Sequence, residues 1–215
     1  MGQRGVLRRF RGEAHRWDQI YTGSGGPVAR LWDRLTRQNV RRRFLRSFEV
    51  AGDLSGRTVL DLGCGSGRYL VEAVRRGAAR AVGVDVAPEM IEIARSLAAT
   101  LPEGGRIELH CRDLKGLMLN ERFDLVVANG LFDYVEDAAT VLKRAAGWRR
   151  GTLVASFPDR HAPRALPRAL YWRARGVRIR LFDRSAIDAL ARQAGLEVLA
   201  IERIGPIHLL IARPS

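Results

Sequence analysis

Five short apolar runs, separated by stretches long enough for a helix, constrain this chain more than any other feature. They are Thr58-Val59-Leu60-Asp61-Leu62, Ala81-Val82-Gly83-Val84-Asp85, Ile107-Glu108-Leu109-His110, Phe123-Asp124-Leu125-Val126-Val127-Ala128 and Thr152-Leu153-Val154-Ala155-Ser156. Helices are predicted over 69–76, from Pro88, where proline suits a first turn, and over 136–146. Runs that do not alternate with polar residues must be covered on both faces, so they read as a parallel sheet sandwiched by helices. The end of the chain departs from this rhythm. A helix over 185–194, stopped by Gly195, leads into two strands at 196–203 and 207–212 joined only by Ile204-Gly205-Pro206. So short a link makes a hairpin and not a crossover, which places one antiparallel strand near an edge. The expected fold is α/β, a doubly wound, mostly parallel seven-stranded sheet with a C-terminal antiparallel hairpin.

Residues 1–50 are expected to form an N-terminal helical cap in two pieces, broken at Gly23-Ser24-Gly25-Gly26-Pro27. Residues 51–215 form the sheet domain, with one long insertion at 157–182. A length of 215 residues allows one full core. The apolar runs are strand-sized and too short to span a bilayer, and no secretory signal is readable, so a cytoplasmic location is expected. Cys64 and Cys111 form no CxxC pattern, so neither a disulfide framework nor a metal site is expected.

The net charge of +14 is unevenly spread. Residues 1–50 hold twelve arginines against four acids, and residues 157–182 hold seven against Asp159. The rest of the chain is neutral overall. This asymmetry fits an anionic partner, or a solvated arginine-rich surface.

The first strand ends in Asp61-Leu62-Gly63-Cys64-Gly65-Ser66-Gly67. Glycines at such a place let backbone approach a ligand and turn into a helix whose N-terminus favours an anion. The spacing GxGxG is not the dinucleotide spacing GxGxxG. Asp85, closing the second strand, can accept hydrogen bonds from ribose hydroxyls or cap the next helix.

With these residues the chain resembles the class I S-adenosylmethionine-dependent methyltransferases, from about Arg57 to the C-terminus and more loosely at Trp17-Asp18-Gln19-Ile20-Tyr21. The resemblance implies their Rossmann-like fold and S-adenosylmethionine as cofactor. It implies that Asp61, Gly63, Cys64, Gly65 and Gly67 line its methionine portion. Asp85 would hold the ribose, with Val86 and Met90 toward adenine. Asp113 and Leu114 would face the adenine edge, and Asn129 and Gly130 the lip of the methyl-donor pocket. Tyr21 would reach the methionine end if the N-terminal segment closes over it.

The chain is similar to the small-molecule members. It lacks the Asn/Asp-Pro-Pro-aromatic motif of enzymes that methylate a flipped base, reading Asn129-Gly130-Leu131-Phe132 there. The expected reaction is methyl transfer to a small, anionic or aromatic acceptor, most often at oxygen by family habit. RNA methylation and cofactor binding without turnover remain alternatives. If a proton must be removed, His161 and Asp133, each just beyond a strand's carboxyl end, are the candidate bases. The insertion mixes Arg164, Arg168 and Arg175 with Leu166, Leu170, Tyr171 and Trp172. It is expected to form a short basic, aromatic helix, serving as an acceptor lid or as an interfacial helix.

Overall fold

The computed structural model describes residues 27–214, with side chains from 38 to 213. Helix α1 (Pro27–Ala51) leads into β1 (Thr58–Leu62), α2 (Arg68–Arg75), β2 (Arg80–Asp85), α3 (Pro88–Ala99) and β3 (Ile107–Cys111). Then come β4 (Phe123–Ala128), α4 (Ala138–Gly147), β5 (Arg149–Pro158), α5 (Ala165–Ala174), α6 (Arg184–Gln193), β6 (Leu196–Ile204) and β7 (Ile207–Pro214). The sheet has seven strands in the order β3-β2-β1-β4-β5-β7-β6. β7 pairs antiparallel with both β5 and β6, and every other pairing is parallel.

Side-chain parity divides the core in two. Leu60, Leu62, Val82, Val84, Val126, Ala128, Leu153, Ala155 and Leu210 face α4 and α6, where they meet Leu142, Ala145 and Ile187. Val59, Ala81, Leu125, Val127, Val154, Leu209 and Ile211 face the other way, onto Phe48, Tyr69, Leu70 and Ile91. Successive strand residues point to opposite faces, so an unbroken apolar run is what a doubly covered strand requires.

The strand and helix order follows the sequence expectations, with longer limits at the end of the sheet. β5 starts at Arg149, ahead of the apolar run at Thr152, because Arg150 is neutralised by Asp124 on β4 at 2.7 Å. The second N-terminal helical piece starts at Pro27 and runs unbroken to Ala51, while the first lies outside the described residues. α1 lies on the second face, held by a ring cluster in which Phe44 sits 4.9 Å from Tyr69 and 5.1 Å from Phe48. Arg46 adds hydrogen bonds to both carboxylate oxygens of Glu202 on β6.

Candidate functional site at the carboxyl ends of the strands

The glycine loop after β1 is the centre of the site. Gly63 and Cys64 donate their N–H groups to Val84 O at 2.8 and 3.1 Å, which ties the loop to β2. Gly65 donates to Asp85 Oδ2 at 2.9 Å. Asp85 Oδ1 accepts from Ala87 N, so the same carboxylate also shapes the turn into α3. Arg112, at the end of β3, donates its N–H to Asp85 O at 2.9 Å. The glycine loop, the end of β2 and the turn after β3 are thus joined by hydrogen bonds at the carboxyl edge of the sheet. Gly65 has φ +52, and among the described residues a Cβ there would meet nothing within 4 Å. Gly67 starts α2 with φ 77, and no side chain caps that helix start.

Parity places Asp61 on the face that α1 covers, together with Asn129, just past β4, and Ser156 on β5. All three are buried. Arg43 of α1 reaches into this cluster and donates to Ser156 Oγ at 3.3 Å. Its guanidinium nitrogens lie 3.7 and 3.9 Å from where a Cβ on Gly130 would stand. Ser47, one turn on, donates to Arg43 O and accepts from Asn129 Nδ2 at 3.0 Å. Ser156 Oγ also accepts the Gly130 N–H at 2.8 Å. Arg43, Ser47 and Ser156 are site residues that the motif reading does not contain. The signal was a polar stripe, Asn39, Arg43 and Ser47, beside the apolar pair Phe44 and Phe48.

Electrostatics give this cluster its character. Burial, reinforced by the charge of Asp85, pushes the Asp61 carboxyl up to about 8 against the pull of Arg43. Burial also raises Asp85, opposed by the N–H groups of Ala87, Gly65 and Val86. The Cys64 thiol is raised well above its ordinary range, chiefly by burial, so it is an inert packing group. Among the described residues, the buried acceptors Asp61 Oδ2 and Asn129 Oδ1 meet no hydrogen-bond partner. Such acceptors are costly unless a donor arrives. Two idle acceptors beside a guanidinium and an uncapped helix start suit a group with an ammonium and a carboxylate on one carbon. The α-amino acid end of S-adenosylmethionine has that chemistry, and the residues present fit it.

The other predicted residues take these positions. Met90 is buried beside Ala87 on the inner side of α3, and Val86 is half-buried. Asp113 Oδ1 accepts from Lys115 N at 2.9 Å and shapes the turn after β3, while Leu114 packs against the first core. Tyr21 lies outside the described residues. Asp133 is buried, and its carboxylate is bound by Arg168 of α5 at 2.6 Å. His161 is exposed and donates its backbone N–H to Asp159 Oδ1 at 2.8 Å. Asp159, itself buried, pairs with Arg203 of β6 at 2.8 Å and contacts His208 Nε2 at 3.4 Å. The insertion leaves β5 at this anchor and closes on itself where Phe182 N donates to Pro158 O.

Comparison with known proteins agrees with this fold. A family model described as a methyltransferase domain matches residues 32–201. The magnesium-protoporphyrin O-methyltransferase of Rhodobacter capsulatus is 32% identical over 204 residues, covering 82% of this chain and 85% of that protein. The ribosomal protein L11 methyltransferase of Edwardsiella ictaluri is 39% identical over 90 residues, but the match spans only 30% of that protein. Among solved structures, magnesium protoporphyrin IX methyltransferase from Synechocystis PCC 6803 with bound SAH superposes with a TM-score of 0.77 at 22% identity, covering 98% of each chain. An S-adenosylmethionine-dependent methyltransferase from Mesorhizobium loti gives 0.68 at 22% identity, covering 83% of this chain and 99% of that one.

Proposed function

Because this chain belongs to the class I S-adenosylmethionine-dependent methyltransferases, we propose that it methylates an oxygen of a small organic acceptor carrying a carboxylate or phosphate. The observation that carries this reading is the extent of one similarity. A relative that matches over most of both chains is by name an O-methyltransferase of a magnesium porphyrin, whereas the match to the ribosomal-protein enzyme stops after 90 residues.

S-adenosylmethionine brings a methyl group already activated by its sulfonium, so the transfer is an in-line displacement. Arg43, Asp61 and Asn129 orient the amino acid end. Asp85 keeps lone pairs for the ribose hydroxyls, and Val86, Met90, Asp113 and Leu114 border the adenine. The loop backbone at Gly63, Gly65 and Gly67 lets the donor lie close. Fixing donor and acceptor in attack geometry accounts for a share of the roughly 7–11 kcal/mol that proximity supplies in general.

The acceptor side argues for an oxygen that is already ionised. The Asp133 carboxylate is engaged by Arg168, and His161 is exposed at the start of the insertion. A carboxylate oxygen needs no base to become a nucleophile, whereas a neutral alcohol does. The insertion, with seven arginines against Asp159, suits such an anion. The test is transfer of labelled methyl to pools of carboxylic acids, phenols and total RNA. Label should appear in a carboxylic acid as an alkali-labile ester. Label confined to RNA would overturn the proposal.

A further inference from the structure

Helix α5 faces the wrong way for an ordinary surface helix. Of its ten residues only Ala165 is fully buried. Arg168, Ala169 and Trp172 are half-buried on the inner side. The outer side carries Leu166, Leu170 and Tyr171, which are 68%, 67% and 51% exposed. Among the described residues, six large apolar side chains are exposed, and half of them stand on this one helix. Single exposed leucines are normal, but an i, i+4 pair with a neighbouring tyrosine is a patch.

Charge surrounds that patch with a single sign. No acid occurs between Arg160 and Phe182. Arg164, Arg173, Arg175 and Arg178 are all exposed, and the Arg175 guanidinium lies 3.7 Å from the centre of the Tyr171 ring. Asp159, the acid just before this stretch, is buried and paired with Arg203, so it does not offset the rim.

We propose that α5 and its arginines form a peripheral docking surface for an anionic lipid bilayer. The inference is independent of the acceptor assigned above. Leucines on a convex helix can enter the headgroup boundary, while arginines at their flanks meet lipid phosphates without a fixed partner geometry. RNA would satisfy the arginines and leave the leucines in water. An acidic protein would have to supply a groove for a protruding helix. No helix among the described residues is long and apolar enough to cross a membrane. Because α5 follows the carboxyl end of β5, docking brings that edge of the sheet toward the lipid.

The test uses the full chain in vesicle sedimentation, with phosphatidylcholine alone and with equal parts of phosphatidylcholine and phosphatidylglycerol. The protein is expected to sediment with the mixed vesicles and not with the neutral ones. In the double variant Leu166→Asp, Leu170→Asp the partition coefficient should fall at least about tenfold, since both the apolar contact and the charge balance are spoiled. Calorimetry should show unchanged affinity of that variant for S-adenosylhomocysteine. Should it fail to fold, Arg173→Glu with Arg175→Glu must give the same loss. Wild-type protein that ignores the mixed vesicles overturns the proposal, as does binding that both double variants retain. Binding of an acidic polypeptide such as polyglutamate in place of the vesicles, lost in the leucine variant, would assign the face to a protein and also overturn it.

Discussion

Asp61 is held under strong electrostatic tension, chiefly by burial. Its carboxyl is raised from 3.8 to about 8, so between those values the folded protein holds a proton that the unfolded chain has released. Folding stability from this group is therefore fully present below pH 4 and lost as pH rises toward 8. Asp61→Asn should stabilise the ligand-free protein at pH 7 by on the order of a few kcal/mol, read as a higher melting temperature, and flatten its pH dependence above pH 4. The same variant should bind S-adenosylhomocysteine more weakly, by about 1.5–3 kcal/mol, because the ammonium loses a charged acceptor. Calorimetry in buffers of different ionisation enthalpy should show proton release on binding to wild type and less on binding to the variant. Asp85→Ala should cost roughly 2–3 kcal/mol of cofactor affinity with little change in turnover at saturation. It should also lower the melting temperature, because Asp85 holds the N–H groups of Gly65 and Ala87. Gly65→Val puts a branched side chain on a backbone at φ +52. The left-handed backbone alone costs roughly 1–2 kcal/mol there, and calorimetry should show binding abolished. An unaltered dissociation constant would remove the loop from the site.

Among the elements, α1 and α5 each bring an arginine to a buried partner on the loops and strand ends of the sheet, Arg43 to Ser156 and Arg168 to Asp133, and they were not equally legible. The centre of the sheet was readable because β1, β2, β4 and β5 carry apolar runs of strand length, and the closing hairpin because three residues cannot span a crossover. The glycine loop and Asp85 were readable because their spacing is local. Arg43 was not, since its partners Ser156 and Asp61 come from distant strands and it is one of twelve arginines in the first fifty residues. The charge run alone does not say which member turns inward; only the polar stripe with Asn39 and Ser47 marks Arg43. Asp133 was legible as a residue at a strand end but not as the partner of Arg168, which lies 35 residues further on. That pair fastens α5 to the loop after β4. Arg168→Ala would leave a buried carboxylate unpaired and should cost about 1–2 kcal/mol, less than a fully buried pair because Arg168 is 38% exposed. Amide exchange should quicken over 165–174 and acceptor KM should rise, while affinity for S-adenosylhomocysteine stays the same. Slow exchange and an unchanged KM would deny α5 any part in holding the acceptor.

For the molecule as a whole, the charge of +14 separates two kinds of partner. A small acid meets one or two arginines, so its affinity should fall by less than about tenfold between 50 and 200 mM salt. RNA would release many counterions and lose roughly a thousandfold or more over the same range. A steep slope with RNA together with no measurable affinity for small acids would reject the small-molecule reading. The sheet order has a consequence of another kind. β7 is made after β6 yet lies between β6 and β5. While the chain is being synthesised, β5 has a parallel neighbour on one side and an open apolar edge on the other, and β6 has no place to pair. The half of the sheet that carries Ser156 and the Asp159 anchor can therefore be completed only once Ile207–Pro214 has left the ribosome. Until then β5 is an exposed strand edge, the kind of surface that aggregates or recruits chaperones.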